Sequence, residues 1–309
     1  MPGIHHVTAI AGEPAKNLNF YARDLGLRFV KKTVNFDDPS TYHFYYGDRT
    51  GSPGTILTFF VWPGANAGSP GGGEVQQTAF RVPLSALDYW TKRLAKRAIA
   101  CQAMETRFGE PVLPFRDPDG MYLTLTGVAG AESEPAWSNG DIPLEYAIRG
   151  FHGTMLVLDS TEKTGAILTD VLGFREVGRE GALTRFATSG PAKGGLIDLQ
   201  EKKGVMRGHQ GHGSVHHIAF RAADDAEQAM MADKLRSGHQ RHPTDQKDRN
   251  YFRSIYFREP GGVLFEIATD IPGFAVDESV DTLGQNLKLP LFLEARRREI
   301  ESSLPVLEQ

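Results

Sequence analysis

The sequence predicts an α+β fold built from four copies of one βαβββ unit. Internal similarity is the first observation behind this prediction, because a recurring segment indicates a repeated structural unit. Residues 75–82 align without a gap on 215–222, and residues 115–125 align on 257–267. The second observation is that each copy opens with an apolar strand and continues into an amphipathic helix. One unit of structure has therefore been used more than once.

The repeat extends from two copies to four. Residues 21–30 resemble 168–177, and both read as a helix end, a glycine cap and an entering strand. Three strands separated by Gly, Pro and Asp turns complete each unit. Opening strands are predicted at about 4–10, 75–83, 150–158 and 214–222, and helices at about 15–25, 84–97, 160–172 and 224–237.

These units divide the chain into two halves. Residues 1–130 are predicted to hold two units, and residues 149–270 hold the other two. Residues 131–148 are polar and rich in turn-forming residues, which is typical of a linker. Residues 271–309 leave the repeat as a C-terminal extension. Its charged helix at 294–303 is expected to pack across a domain or a partner subunit.

Composition narrows the function to small-molecule chemistry. The 309 residues are 40% hydrophobic, with a formal net charge of −4 and no dense basic run, so nucleic acid is excluded as a partner. No stretch approaches the ~20 apolar residues that span a bilayer, and the first residues lack a signal-peptide pattern, so no membrane association is expected. The single cysteine, Cys101, agrees with a reducing compartment. We expect a cytoplasmic protein.

A candidate metal site follows from two histidine pairs, His5-His6 and His216-His217, and from Glu266. A His-His pair alone is more commonly structural. The pair occurs twice here, however, and Glu266 stands in an apolar strand where a buried carboxylate needs a cation or several donors. Two imidazoles and one carboxylate hold one face of a divalent iron and leave the opposite positions open for substrate and dioxygen.

The repeats provide an internal control for this site. Unit two carries Gln77 and Thr124 where unit four carries His217 and Glu266, and neither replacement is a good iron ligand. In the alignment of the units, Gly153 of unit three takes the position of His6, and Thr58 of unit one takes the position of Glu266. The set able to bind a metal is therefore His6, His217 and Glu266. Strand side chains alternate between faces, so only one member of each histidine pair points into a given cavity.

Nearly the whole chain, residues 1 to about 305, resembles the vicinal oxygen chelate superfamily, with its glyoxalase/bleomycin-resistance/dioxygenase fold. That resemblance implies that the units pair into two cup-shaped, barrel-like mixed sheets around a divalent metal. The segment 256–266 resembles the extradiol ring-cleavage signature, in which a tyrosine precedes the carboxylate ligand by ten positions. Here those positions are Tyr256 and Glu266.

Two departures from the catechol-cleaving members indicate a different subgroup. Their first ligand comes from the module before the last, whereas here the matching histidine is His6 of unit one. They also carry a histidine where this chain has Arg249. Both features are similar to hydroquinone-type ring-cleaving dioxygenases, and so are the blocks at 29–33, 45–48, 51–55 and 106–109. That resemblance implies Fe(II) on His6, His217 and Glu266, with His5, Thr8, His216, Arg249 and Tyr256 nearby.

The expected reaction is ring cleavage of a hydroquinone-type aromatic diol with O2. Arg249 would stabilise a developing oxyanion, Tyr256 would donate a proton or hydrogen bond, and Thr8 would orient bound dioxygen or water. His5 and His216 either support the ligands or pack within the sheet. The alternative role of Arg249 is to form a surface salt bridge. The alternative role of Tyr256 is to pack as an aromatic residue in the barrel, with its hydroxyl at the rim. His43 has two interpretations, a residue that lines the cup of unit one and a strand residue packed between sheets, and the second is preferred.

Two other functions use the same fold. A glyoxalase-type lyase, isomerase or thiol transferase would use Zn, Ni or Mn without a redox change, and usually takes a fourth protein ligand that the sequence does not offer. The other is a non-catalytic aromatic-binding protein. The choice of Fe(II) over Mn(II) or another divalent metal, the ring substituents and the oligomeric state stay open, with a homo-oligomer among the alternatives.

Overall fold

The computed structural model describes residues 2–190 and 193–307, and each unit folds in the predicted order. The first unit consists of β1 (Ile4–Ala11), α1 (Pro14–Leu18), β2 (Arg28–Asn35), β3 (Asp38–Gly47) and β4 (Ile56–Val61). The second consists of β5 (Glu74–Pro83), α2 (Leu87–Lys96), β6 (Glu105–Arg107), β7 (Glu110–Arg116) and β8 (Tyr122–Val128).

Units three and four repeat this order after residue 148. The third unit consists of β9 (Gly150–Leu158), α3 (Glu162–Asp170), β10 (Arg175–Glu180), β11 (Leu183–Ala187) and β12 (Leu196–Glu201). The fourth consists of β13 (Val215–Ala222), α4 (Asp225–His239), β14 (Lys247–Asp248), β15 (Phe252–Arg258) and β16 (Leu264–Pro272). The predicted strand–helix–three-strand pattern is confirmed in all four.

Two predicted helices differ from the observed ones at their ends. The first becomes a π-helical segment at Asn19–Asp24, where the wider turn lets the Leu25 N–H donate to the Phe20 carbonyl at 2.9 Å. In unit two, the spacing of Leu84, Leu87, Trp90 and Leu94 predicts one apolar helix face. Leu84 lies instead in a 3₁₀ turn before α2 and is 48% exposed, whereas the other three residues are buried as predicted.

The strands form two eight-stranded mixed sheets, each curled into a half-barrel, as the resemblance implied. The first sheet has the order β14-β15-β16-β13-β1-β4-β3-β2, and the second has the order β10-β11-β12-β9-β5-β8-β7-β6. Unit one therefore shares a sheet with unit four, and unit two shares one with unit three. The division of the chain into two halves joined by a linker stays a prediction. Residues 131–148, the predicted linker, connect unit two to unit three, which belong to the same sheet.

One apolar core serves all four units. Its largest cluster of buried side chains includes Ile4, Phe80, Leu156 and Phe220, one from each opening strand. The rings of Phe80 and Phe151 stack across the β5–β9 junction with centroids 5.5 Å apart. Within the described ranges, no helix has the length and apolar character needed to cross a bilayer.

The C-terminal extension packs on unit one of the same chain. The Lys288 N–H donates to the Lys32 carbonyl at 2.9 Å beside β2, and the charged helix α5 (Arg297–Ser303) follows. The ammonium of Lys31, which is fully buried, lies 2.6 Å from Asp277 and also binds Glu278. Asp277 accepts a further hydrogen bond from the Tyr251 hydroxyl at 3.0 Å. The extension thus joins unit one to the loop before β15.

We predict that Lys31→Met lowers the free energy of unfolding by about 3–5 kcal/mol, because it leaves the buried Glu278 carboxylate without its cation. Equilibrium urea denaturation measures the change. Lys92→Met on the exposed face of α2 is the control and should stay within about 0.5 kcal/mol of the parent protein. Equal losses from both variants would contradict an extension held through Lys31.

Candidate metal centre

Three adjacent strands in the middle of the first sheet bring His6, His217 and Glu266 together. His6 on β1 pairs with Ala219 on β13, and Ala219 pairs with Glu266 on β16. His217 stands two residues before Ala219, so its side chain lies on the same face of β13. Residues that lie 260 positions apart in the chain thereby become neighbours across the sheet.

The ligand atoms of these three residues have the spacing of a metal site. His217 Nε2 lies 2.9 Å from Glu266 Oε2, His6 Nε2 lies 3.3 Å from the same oxygen, and the two nitrogens are 3.4 Å apart. Metal bonds of about 2.1 Å at octahedral to tetrahedral angles place donor atoms roughly 3.0–3.4 Å apart. The observed distances fit that range. Within the described residues, this is the one group of His, Cys, Asp or Glu so arranged.

Burial supports the same interpretation of the donor set. The Glu266 side chain is fully buried, and its Oε1 accepts a hydrogen bond from the Ser254 hydroxyl. Its Oε2 is buried and has no hydrogen-bond partner of acceptable geometry. An unsatisfied buried carboxylate oxygen is costly. A cation bound between Oε2 and the two Nε2 atoms would satisfy it.

The electrostatics favour the protonation states that a metal needs. Burial alone would raise the pKa of the Glu266 carboxyl, but the adjacent His6 and His217 rings hold that pKa well below its usual range. Burial lowers the pKa of His217, and Glu266 opposes this shift only in part. The direction of both shifts favours the deprotonated forms of the Glu266 carboxyl and the His217 ring, which are the forms that bind a metal.

The upstream histidines contact the ligand histidines through their Nδ1 atoms. His5 Nδ1 lies 2.9 Å from His6 Nδ1, and His216 Nδ1 lies 2.8 Å from His217 Nδ1. A neutral imidazole has one N–H, so a ligand histidine with a free Nε2 donates from Nδ1 to its neighbour. In that tautomer, both pairs leave the Nε2 lone pairs of the ligands available.

The two upstream histidines differ in their surroundings. His5 packs edge-on against Phe252, with ring centroids 5.1 Å apart, and lies outside the cavity. His216 is half-buried at the cavity wall, perpendicular to Phe60. Burial, together with the neighbouring His217, lowers the pKa of His216 to about 3. Both rings are therefore neutral hydrogen-bond acceptors for the ligands, and their part in catalysis stays a prediction.

A cavity of about 280 Å³ adjoins the three ligand atoms. One part of its wall is polar and includes Thr8, Arg249 and Tyr256, which the sequence analysis predicted to lie nearby. The other part is apolar and consists of Phe36, Phe60, Trp62, Phe252 and Leu264. Such a combination suits a flat ring with polar substituents.

Arg249 and Tyr256 form one unit on the cavity wall. Tyr256 pairs directly with Glu266 across β15 and β16. Arg249 Nε donates to the Tyr256 hydroxyl at 3.2 Å. The other end of the guanidinium binds Asp37 at 3.0 Å. Burial and the Glu266 charge raise the pKa of Tyr256, so it is a neutral phenol. Burial alone would lower the pKa of Arg249, but the neighbouring Tyr256 and Asp37 outweigh burial and raise that pKa.

Three cavity or ligand-supporting residues were left out of the predicted site. His43 and Tyr45 line the cavity from β3, so the alternative that His43 lines the cup of unit one holds, and the preferred interpretation as a residue packed between sheets is wrong. Their spacing of two residues on a strand was the available signal, since it places both on one face. Ser254 supports Glu266 from β15. It stands two positions before Tyr256, so the same periodicity applies to it.

The second sheet carries the same register without the ligands. Ala79 on β5 pairs with Gly153 and with Thr124, just as Ala219 pairs with His6 and Glu266. Gln77, at the position of His217, donates to Thr124 at 2.9 Å. A Cβ atom at Gly153 would lie 2.3 Å from the Leu196 carbonyl oxygen, so this position admits no ligand side chain. The predicted correspondence between units holds in three dimensions.

Comparisons with known proteins agree with this geometry. The sequence profile of the Glyoxalase/Bleomycin resistance protein/Dioxygenase superfamily matches residues 3–125 and 150–267. MhqO of Bacillus subtilis (strain 168), provisionally named a ring-cleaving dioxygenase, is 46% identical over 98% of this chain and 95% of its own length. Chlorohydroquinone/hydroquinone 1,2-dioxygenase of Sphingobium indicum is 35% identical over 96% of this chain and 94% of its own length.

Solved structures show the same fold. A crystal structure of a provisionally named dioxygenase from Bacillus subtilis subsp. subtilis str. 168 has a TM-score of 0.94 and 45% identity, covering 99% of this chain and 97% of that one. Glyoxalase I from Zea mays has a TM-score of 0.65 at 13% identity, covering 87% of this chain and 93% of that one. The second likeness concerns the fold alone.

We predict that Glu266→Gln abolishes metal retention without unfolding the protein, because it removes the only charged donor and also removes a buried charge. The protein is loaded anaerobically with Fe(II) and desalted, and its metal content and melting temperature are measured. When the melting temperature is measured with free Fe(II) at a hundred times its Kd, the parent protein should gain about 2.7 kcal/mol of stability, and the variant should lose this gain. Thr124→Ala, at the matching position of unit two, should retain both. Equal behaviour of the two variants would contradict the division between the sheets.

Proposed function

The chain belongs to the Glyoxalase/Bleomycin resistance protein/Dioxygenase superfamily, and we propose that it is a non-haem Fe(II)-dependent ring-cleaving dioxygenase acting on a hydroquinone-type aromatic diol with O2. The observation that carries this proposal is the convergence of two imidazoles and one carboxylate on a single aromatic-walled cavity. The 35% identity with a chlorohydroquinone/hydroquinone 1,2-dioxygenase over nearly both full lengths supports a para-diol as substrate.

The donor set fits Fe(II). His6, His217 and Glu266 would hold one face of the ion, and a bound Fe(II) would supply open positions for oxygen ligands and a path for electrons between them. Mn(II) accepts similar donors, so the geometry alone does not choose between them. The His5 and His216 hydrogen bonds hold the ligand rings in the tautomer that binding requires.

The cavity wall provides recognition of the aromatic ring. Phe60 and Phe252 lie against the ligand histidines, with Phe252 centred 5.0 Å from the His6 ring and Phe60 centred 6.4 Å from His217. Aromatic side chains at these distances pack a flat ring and exclude water from the ligand atoms. Phe36 extends the apolar wall towards the loop that carries Asp37.

Arg249 and Tyr256 control charge and protons on the substrate oxygen. The guanidinium of Arg249 stays positive and stabilises negative charge on an oxygen in the cavity. Because Tyr256 is a neutral phenol, it is able to donate a hydrogen bond from its hydroxyl. Arg249 donates to that hydroxyl oxygen and so directs the tyrosine proton away from itself. The proton then points to a bound oxygen.

We expect Tyr256→Phe to lower kcat roughly 100-fold, the usual loss when one donor to a developing charge is removed. Its Fe content should equal that of the parent protein, because the hydroxyl is not a ligand. Steady-state oxygen consumption and metal analysis measure the two quantities. Tyr122→Phe in the second sheet is the control and should keep full activity. A Tyr256→Phe enzyme with parental kcat would remove this residue from the reaction.

A substrate panel tests the function itself. After anaerobic reconstitution with Fe(II), the protein should consume one O2 per hydroquinone, with much slower uptake on catechol. An oxygen electrode measures uptake, and absorbance follows loss of the ring. Turnover of a thiol adduct without O2 uptake would instead assign a glyoxalase-type reaction. Binding of hydroquinone without either reaction would assign an aromatic-binding protein.

A further inference from the structure

Four polar side chains form a continuous hydrogen-bonded chain along the cavity wall. The Tyr45 hydroxyl lies 3.0 Å from His43 Nδ1, His43 Nε2 lies 2.8 Å from Thr58 Oγ1, and the Thr58 hydroxyl donates to Thr8 Oγ1 at 2.9 Å. Tyr45, Thr58 and Thr8 are almost completely buried. Three of the four line the cavity, and Thr58 links them from β4.

Proton counting assigns a direction to this chain. A threonine hydroxyl has one proton, so Thr58, which donates to Thr8, accepts from His43. His43 therefore carries its proton on Nε2, and its Nδ1 accepts from the Tyr45 hydroxyl. Burial, with the nearby His217, lowers the pKa of His43 well below its usual value, which agrees with a neutral ring that has a single N–H.

The chain ends at Thr8, beside the metal ligands. Thr8 pairs with His217 on one side and with Thr58 on the other, and it shares a strand face with His6. Its Oγ1 already accepts from Thr58, and within the described residues its own proton has no acceptor. Thr8 lines the cavity. Its hydroxyl is thus left as a donor to whatever oxygen atom is bound there.

We propose that Tyr45, His43 and Thr58 are positioning residues that fix the Thr8 hydroxyl as a hydrogen-bond donor to the oxygen atom bound next to His6 and His217. This role deepens the proposed function and rests on it. Each bond in such a chain polarises the next, so the relay strengthens Thr8 as a donor to developing negative charge. No atom of the relay is consumed, and no proton leaves it.

The second sheet lacks both the ligands and the relay. At the positions that match Thr8, Thr58 and Tyr45, it carries Met155, Asp198 and Arg185. The last two form a buried ion pair with a distance of 2.8 Å, and Met155 offers no hydroxyl to the neighbouring strand. The fold therefore does not need the relay to form a half-barrel. The relay occurs only in the sheet that has the metal donors.

The tautomer of His43 tests the relay independently of turnover. Nitrogen-15 NMR of the metal-free protein at pH 7 should show the His43 proton on Nε2, with the signal assigned by its loss in His43→Gln. Thr58→Val removes the acceptor and should move this proton to Nδ1, where Tyr45 accepts it. A His43 proton on Nδ1 in the unaltered protein would overturn the proposal.

Kinetics of the Fe(II)-loaded enzyme test the consequence at Thr8. Thr58→Val should lower kcat about tenfold or more, with KM and Fe content within about twofold of the parent, since supporting hydrogen bonds typically contribute 10–100-fold. Thr58→Ser keeps the hydroxyl and should restore kcat. Thr124→Val, at the same position of unit two, is the control and should match the parent enzyme.

The two measurements separate the possible failures. A Thr58→Val enzyme with parental kcat would overturn the relay and leave the dioxygenase assignment intact. A protein that consumes no O2 with any para-diol contradicts the proposed function. In that case the His43 tautomer alone decides the relay: a proton on Nε2 retains it and a proton on Nδ1 removes it.

Discussion

The pairing of β1 with β13 is the constraint on which the rest of the structure depends. It joins the first unit to the last in one sheet and sets the register in which His6 and Glu266 flank Ala219. A shift of one residue in either strand would turn its donor to the opposite face, away from the cavity. The positions of the three donors are therefore set by strand register, and the surrounding loops supply further cavity residues, among them Phe36, Asp37, Trp62 and Arg249.

The atoms of the three donor side chains differ in whether the protein already hydrogen-bonds them, and this difference leaves one set of atoms available to a metal ion. One carboxylate oxygen of Glu266 is tied to Ser254, while the other remains unsatisfied between two imidazole nitrogens. The Nδ1 contacts of His5 and His216 leave those nitrogens with free lone pairs. Orientation is thus set before any ion arrives, which reduces the cost of ordering the ligands on binding.

Much of this arrangement could be predicted from the sequence, because the repeats make each unit a control for the others. Gln77 and Thr124 identified unit two as one without ligands, and the observed pairing of Ala79 with Gly153 and Thr124 follows the same alignment. The place of His43 was not predictable in this way. Strand alternation tells which side chains share a face, but the face that borders the cavity depends on how the sheet curls. The π-helical turn after α1 likewise reflects tertiary packing, which overrides local periodicity.

The union of the first and last units also bears on how the protein matures. His6 is made more than two hundred residues before its partners His217 and Glu266. Contacts of such long sequence separation form late and slowly. A nascent chain that lacks the fourth unit cannot assemble all three donors, so a metal ion at this site would be acquired only after that unit has been made. Incomplete products of translation would not hold an ion there.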